Sequence, residues 1–257
     1  MLENESSFDR IFCDVFETKL FKMFYNSHFS DDTLFNHSVI SKEILDSENN
    51  DTSSHSEIFE EIKVEARKRK VPPSIFVEGF WRNSQSILKS AIDSGYIISG
   101  GMELHSKQIE RNPAAAGLAF DVGETENVKL WNEVFMRSFN INESWKEELL
   151  NREKKFQRGT STHLLLATEK NDRSSIVGCI LLHRVPRDWM GVYCVGTVPE
   201  KRHRGVAKGM MYSAEIYAGE VGCKYLTLQT ITIDRVAPMY LKLGFKIDFS
   251  RDVLSSP

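Results

Sequence analysis

Cysteine is scarce in this chain and forms no pattern. The four cysteines, Cys13, Cys179, Cys194 and Cys223, lie far apart with no Cys-x-x-Cys pair. That spacing argues against a structural zinc site or a disulfide framework and suits small buried thiols in a reduced protein. Long apolar runs are missing too. No stretch approaches the ~20 residues that a membrane-spanning helix needs. The opening MLENESSFDRIF is acidic and lacks the apolar run of a signal peptide, so the expected location is cytoplasmic. No charge of one sign dominates: the formal net charge is −3, which gives no global attraction to nucleic acid or to an anionic membrane. Neither GxxxxGK[ST] nor a GxGxxG after a first strand occurs, which excludes a classical P-loop and a dinucleotide fingerprint. No internal repeat is visible.

What is present reads as an ordinary globular protein, with 41% hydrophobic and 27% charged residues. Its 257 residues exceed the common domain size of ~100–150, which predicts two domains. Phe8, Ile11, Phe12, Val15, Phe16, Leu20, Met23 and Phe24 recur at helical spacing, predicting an opening helix. LFNHSVI suits a short strand, and residues 46–57 read as a polar loop. A helix from Ile58 to Lys70 ends at Pro72-Pro73. SIFVE (74–78) reads as a strand, Ser84 to Ser94 as a helix and YIISGGMEL (96–104) as a strand. Residues 105–117 carry little periodicity, so the domain boundary is placed near residue 112.

The second half is better patterned. LAFDV (118–122) reads as a strand, Val128 to Phe139 as a helix and Glu143 to Phe156 as another. HLLLATEK (163–170) and SIVGCILLHR (175–184) flank Asn171-Asp172, a hairpin signal. MGVYCVGTV (190–198) is a third strand leading into a basic loop and a helix that Gly222 stops. YLTLQT (225–230), a short helix near Arg235–Leu243 and a strand from Phe245 to Phe249 close the chain. The order β-α-α-β-β-β-α-β-α-β predicts a mixed, mostly antiparallel sheet with flanking helices, of class α/β or α+β.

The basic loop, VPEKRHRGVAKGMM (198–211), carries the chemistry. Arg202, His203, Arg204, Gly205 and Lys208 sit where a strand gives way to a helix. Gly205 leaves backbone amides accessible, and the helix start points free N–H groups and a partial positive charge into the loop. That is an anion trap, although a solvated basic helix start has the same composition.

The spacing Arg202-His203-Arg204-Gly205-Val206-Ala207 resembles the R/Q-x-x-G-x-G/A signature of the GCN5-related N-acetyltransferases, the GNAT superfamily. VGTVPE before it resembles that family's fourth strand, and LQT…APMYLKLGF after it resembles the family's following strand and helix. The resemblance implies acetyl-CoA as co-substrate, no metal and transfer of an acetyl group to an amine. The pyrophosphate would lie on the amides of about His203 to Lys208, those of His203, Arg204, Gly205, Val206, Ala207 and Lys208, with Arg202 adding its charge to the cofactor site. The pantetheine arm would pair with the edge of a strand that includes Val195, Gly196, Thr197 and Val198, splayed from the strand ending at Thr230; Ala237 and Tyr240 would complete the site. Tyr240, protonated at neutral pH, would be the general acid for the thiolate, and an N–H near Val198 would polarise the thioester. Glu200 lies beyond Pro199, so no glutamate marks a base on the strand; His183, Tyr193 and Glu169 are candidates.

VPPSIFVEGFW…ILKSAIDSGYIISGGMEL resembles the degenerate first half of tandem acetyltransferases, implying a GNAT-like lobe over residues 1–112, without a phosphate loop, and a catalytic domain over 113–257. ARKRK (66–70) reads as a helix C-terminus rather than a nucleic-acid patch. Cys194 is read as a buried strand thiol rather than an acyl acceptor. The tryptophans are read as packing residues. The expected partner is an unidentified amine, small molecule or peptide, bound by a monomer or homodimer with no nucleic acid or membrane.

Overall fold

A computed structural model of the chain describes residues 2–30, 32–45, 52–80, 83–110, 120–152, 161–184 and 188–257. The first part runs α1 (Leu2–Phe12), β1 (Asp14–Glu17), β2 (Phe21–Tyr25), β3 (His37–Ile40), α2 (Lys42–Leu45), α3 (Thr52–Arg69), β4 (Ser74–Glu78), α4 (Ser84–Asp93) and β5 (Ile97–Gln108). The second runs β6 (Phe120–Glu124), α5 (Val128–Phe139), α6 (Lys146–Arg152), β7 (Thr162–Glu169), β8 (Asp172–Arg184), β9 (Trp189–Thr197), α7 (Val206–Glu220), β10 (Tyr225–Ile231), α8 (Ala237–Lys242) and β11 (Lys246–Ser255). The class is mixed α/β with mostly antiparallel pairing, and the second-half order is the one the sequence pattern predicts.

Contacts group the chain into two compact units that interleave. One comprises Met1–Ile11, Ser106–Leu228 and Leu243–Phe245; the other comprises Phe12–His105, Gln229–Lys242 and Lys246–Pro257. The expected boundary near residue 112 lies outside the described residues. The units do not follow a single cut, because β11 pairs antiparallel with β4 from Arg251–Glu78 to Ser255–Ser74.

In the second unit, strand order is β1-β2-β3-β4-β11-β5. Every residue of SIFVE is buried, as a central strand of apolar residues requires. Ile58, Ile62 and Ala66 form the buried stripe of α3 and share a core with Ile75, Val77, Ile87 and Tyr96. Two expectations fail here. The opening helix stops at Phe12, and residues 14–25 form β1 and β2, whose aromatic and branched side chains suit a pleated surface better than a helix. The predicted loop at 46–57 also falls short: helix α3 already begins at Thr52, while residues 46–51 lie outside the described residues.

In the first unit, β6 to β9 form an antiparallel meander, and β10 joins β9 in parallel. Helix α5 buries Trp131, Val134 and Phe135, and Trp131 Nε1 donates to the Ile180 carbonyl at 3.2 Å. Helix α7 buries Val206, Met210, Ala214 and Ala218. Helix α1 belongs to this unit: Phe8 stacks on Tyr193 at 3.6 Å between ring centroids. Among the described residues no helix is long and apolar enough to cross a membrane, and no cluster of three or more metal-ligating side chains occurs.

Candidate functional site

Strand β9 is irregular where the site is expected. Its ladder with β8 pairs Cys179 with Gly196 but Leu181 with Tyr193. One extra residue is therefore inserted in β9, and Cys194 takes φ of 52°. This is a β-bulge, which turns backbone groups of Cys194 and Val195 out of the ladder. The parallel ladder with β10 covers Trp189–Tyr225, Met190–Leu226 and Gly191–Thr227 and then stops, although β9 continues to Thr197 and β10 to Ile231. Gly196 is required for space: a Cβ there would lie 2.7 Å from Ser138 Cβ and 2.8 Å from the Phe139 ring.

After β9 the chain makes a 3-10 turn at Pro199–Lys201, passes His203 with φ of 62° and Gly205 with φ of 82°, and enters α7. The Gly205 carbonyl accepts from Gly209 N–H at 2.9 Å, the first bond of the helix. The amides of Val206, Ala207 and Lys208 precede that bond, and Gly205 at the N-cap has no side chain to cap them. Among the described residues nothing lies within 4 Å of the position a Gly205 Cβ would take. His203, Arg204 and Lys208 are exposed. Lys208 Nζ stands 5.5 Å from the Tyr212 ring. Uncapped amides, open space and exposed cations together fit a phosphate.

Arg202 and Val198 both make hydrogen bonds within the protein. The Arg202 guanidinium donates to Ser138 O at 2.7 Å through Nη2 and to Thr197 O at 3.3 Å through Nε. It ties the loop to the end of α5, and an Arg137–Glu200 ion pair spans the same junction. Val198 N–H donates to Val177 O at 3.0 Å, so this amide is already engaged within the protein.

Two of the three base candidates, Glu169 and His183, are occupied. Lys201 binds Glu169 at 2.7 Å, and that hydrogen bond together with one from Ser175 holds its carboxyl below the usual range. His183 is buried, with Nδ1 2.9 Å from Thr162 Oγ1 and Nε2 2.9 Å from Ser7 Oγ. Burial lowers its pKa to about 4, so it is neutral at pH 7. Burial pushes the Cys194 thiol well above its usual value, which removes a thiolate nucleophile.

In the other unit, Tyr240 is 7% exposed on α8, and burial raises its phenol to about 12. Ala237 opens the same helix, half-buried. Thr230 is buried on β10, and its hydroxyl lies 2.9 Å from Nε2 of the buried His105 on β5. His105 escapes the sequence pattern because β5 runs to Gln108 while its apolar run ends at Leu104. The usable signal is the alternation of Glu103, His105 and Lys107. The cations at 66–70 behave as a helix end: Lys68 and Arg69 pair with Glu65.

The model of the acetyltransferase (GNAT) family matches residues 128–245. No curated protein matches the chain. Among solved structures, a GCN5-related N-acetyltransferase from Kribbella flavida is 14% identical with a TM-score of 0.69, over 99% of this chain and 93% of that one. One from Sphaerobacter thermophilus is also 14% identical with a TM-score of 0.69, over 93% of this chain and 80% of that one. A tandem GNAT protein from the clavulanic acid biosynthesis pathway is 12% identical with a TM-score of 0.59, over 92% and 78%. At such identities the likeness shows the fold.

Proposed function

Because the chain carries a domain of the acetyltransferase (GNAT) family, we propose that it is an acetyl-CoA-dependent N-acyltransferase. The observation that carries this reading is the uncapped first turn of α7 behind Gly205, next to a strand whose ladder to β10 stops partway. The pyrophosphate lies on the amides of Val206 to Lys208, with His203, Arg204 and Lys208 around it. The pantetheine amides pair with the edge of β9 beyond Gly191. A bulge amide of Cys194 or Val195 polarises the thioester carbonyl. The acceptor amine attacks the carbonyl carbon directly, the C–S bond breaks, and Tyr240 gives its phenolic proton to the departing sulfur. The amine's surplus proton passes to solvent, and an amine arriving deprotonated needs no dedicated base. The GNAT-like portion without a phosphate loop draws on Phe12–His105 and is completed by β11.

The test is thiol release from acetyl-CoA across a panel of small amines and peptides. Tyr240→Phe is expected to slow release about 100-fold or more while CoA affinity changes less than about threefold. The second reading is a non-catalytic acyl-CoA-binding module, favoured by the engagement of Glu169 and His183 within the protein. Tight CoA binding without release for any amine would establish it instead.

A further inference from the structure

His105 is a buried imidazole beside Tyr240 to which the loop and strand chemistry gives no role. Its Nε2 lies 2.9 Å from Thr230 Oγ1 and 3.7 Å from Glu103 Oε2. Its ring centroid stands 6.3 Å from that of Tyr240, with the planes tilted by 50°. Three elements, β5, β10 and α8, thus bring an imidazole, a hydroxyl and a phenol together within one compact unit. Groups that bear on the imidazole include Glu103 from its own strand, Thr230 from β10, Asp248 from β11 and Tyr240 from α8.

Burial holds His105 below the usual imidazole pKa, against the opposing pull of Glu103 and Asp248. At pH 7 it is neutral, with one nitrogen donating and the other accepting. An imidazolium has two donors and no acceptor, so a Thr230 hydroxyl that had been donating would have to turn and accept. The contact that orients the ring would then change beside a buried phenol.

We propose that His105 is a positioning residue for Tyr240: anchored on Thr230, the neutral imidazole fixes the phenol in the orientation that donates its proton, and protonation of the imidazole disturbs it. This rests on the acetyl-transfer reading, which gives Tyr240 its role. A buried histidine that merely completes the core would hold Thr230 without coupling to the phenol.

The test begins with the wild-type protein labelled with 13C at tyrosine Cζ, the Tyr240 signal being assigned by its loss in Tyr240→Phe. That signal is expected to shift in one step as pH falls below 6.5, and the step is expected to vanish in His105→Gln, whose side-chain amide still reaches Thr230. In the thiol-release assay, His105→Gln is expected to keep KM for acetyl-CoA within about twofold, to lose about tenfold in kcat and to lose the acid limb of the kcat profile. A Tyr240 signal that ignores pH over this range, or a variant that retains the wild-type acid limb, overturns the proposal. If the wild type releases no thiol with any amine, the acetyl-transfer reading fails, while the Tyr240 titration still decides whether the two rings are coupled.

Discussion

Gly205 holds a left-handed conformation, φ of 82°, at the position that ends the loop and starts α7. An L-residue there costs roughly 1–2 kcal/mol, and the open space in front of it means that no clash adds to this. Gly205→Ala is therefore expected to weaken CoA binding about tenfold by titration calorimetry, since 1.4 kcal/mol is a factor of ten. Gly205→Asn should weaken it less, because Asn tolerates this region. An alanine variant with wild-type affinity would show that the loop does not need its turned-back amides. His183 carries a different residue-scale consequence. Burial lowers its pKa from 6.5 to about 4, so between those values the unfolded chain binds a proton that the folded chain refuses. Stability is then lost as pH falls from 6.5 towards 4, by about 2 kcal/mol at pH 5. His105 shifts in the same direction. Urea midpoints at pH 7 and pH 5 are expected to converge in His183→Asn relative to the wild type; an unchanged difference would remove His183 from the acid response.

At the scale of elements, the loop after β9 is held from outside the loop. Arg202 and the Arg137–Glu200 pair fasten it to the last turn of α5, while Arg204 and Lys208 point their charge outward. The two sets predict different salt responses. Arg204→Gln and Lys208→Gln should flatten the dependence of CoA affinity on salt, because each removes a screened charge. Arg202→Gln should lower affinity with the salt slope unchanged, because what it loses is two hydrogen bonds to backbone carbonyls, each roughly 1.5–3 kcal/mol when the donor is charged. A flattened slope in Arg202→Gln would put its charge on the phosphate after all. This division was only half legible in the sequence. The Gly and the cations stand at diagnostic spacing, but whether an arginine faces a phosphate or a carbonyl is settled by α5, some sixty residues earlier in the chain. Elements with one strong period, such as SIFVE or the α7 stripe, could be read directly. Residues 14–25 could not, because Val15, Phe16, Leu20, Met23 and Phe24 satisfy helical and strand periods alike. Helix α3 begins among residues of high turn preference, and only its apolar part announces it. The bulge at Cys194 leaves no mark in composition at all.

At the scale of the whole molecule, neither half of the sequence is a self-contained fold. The chain begins with α1, whose Ser7 and Phe8 contact His183 and Tyr193 on β8 and β9. It ends with β11, whose partner is β4 of the first half. A cut near residue 112 reads naturally from the low periodicity there, because long-range strand pairing has no local signature. The consequence concerns residues 113–257 alone. They keep the phosphate loop but lose β4, so Val253 and Leu254 lose their cover, and Arg251, 4% exposed, loses its 2.8 Å contact with Glu78. Removing one partner of a buried ion pair costs roughly 3–5 kcal/mol, a large part of a domain's stability. Residues 113–257 expressed alone are therefore expected to aggregate or to lack a cooperative urea transition, and co-expression with residues 1–112 should restore one. A cooperative transition at the full-length midpoint from 113–257 alone would show that β11 can fold without its partner strand.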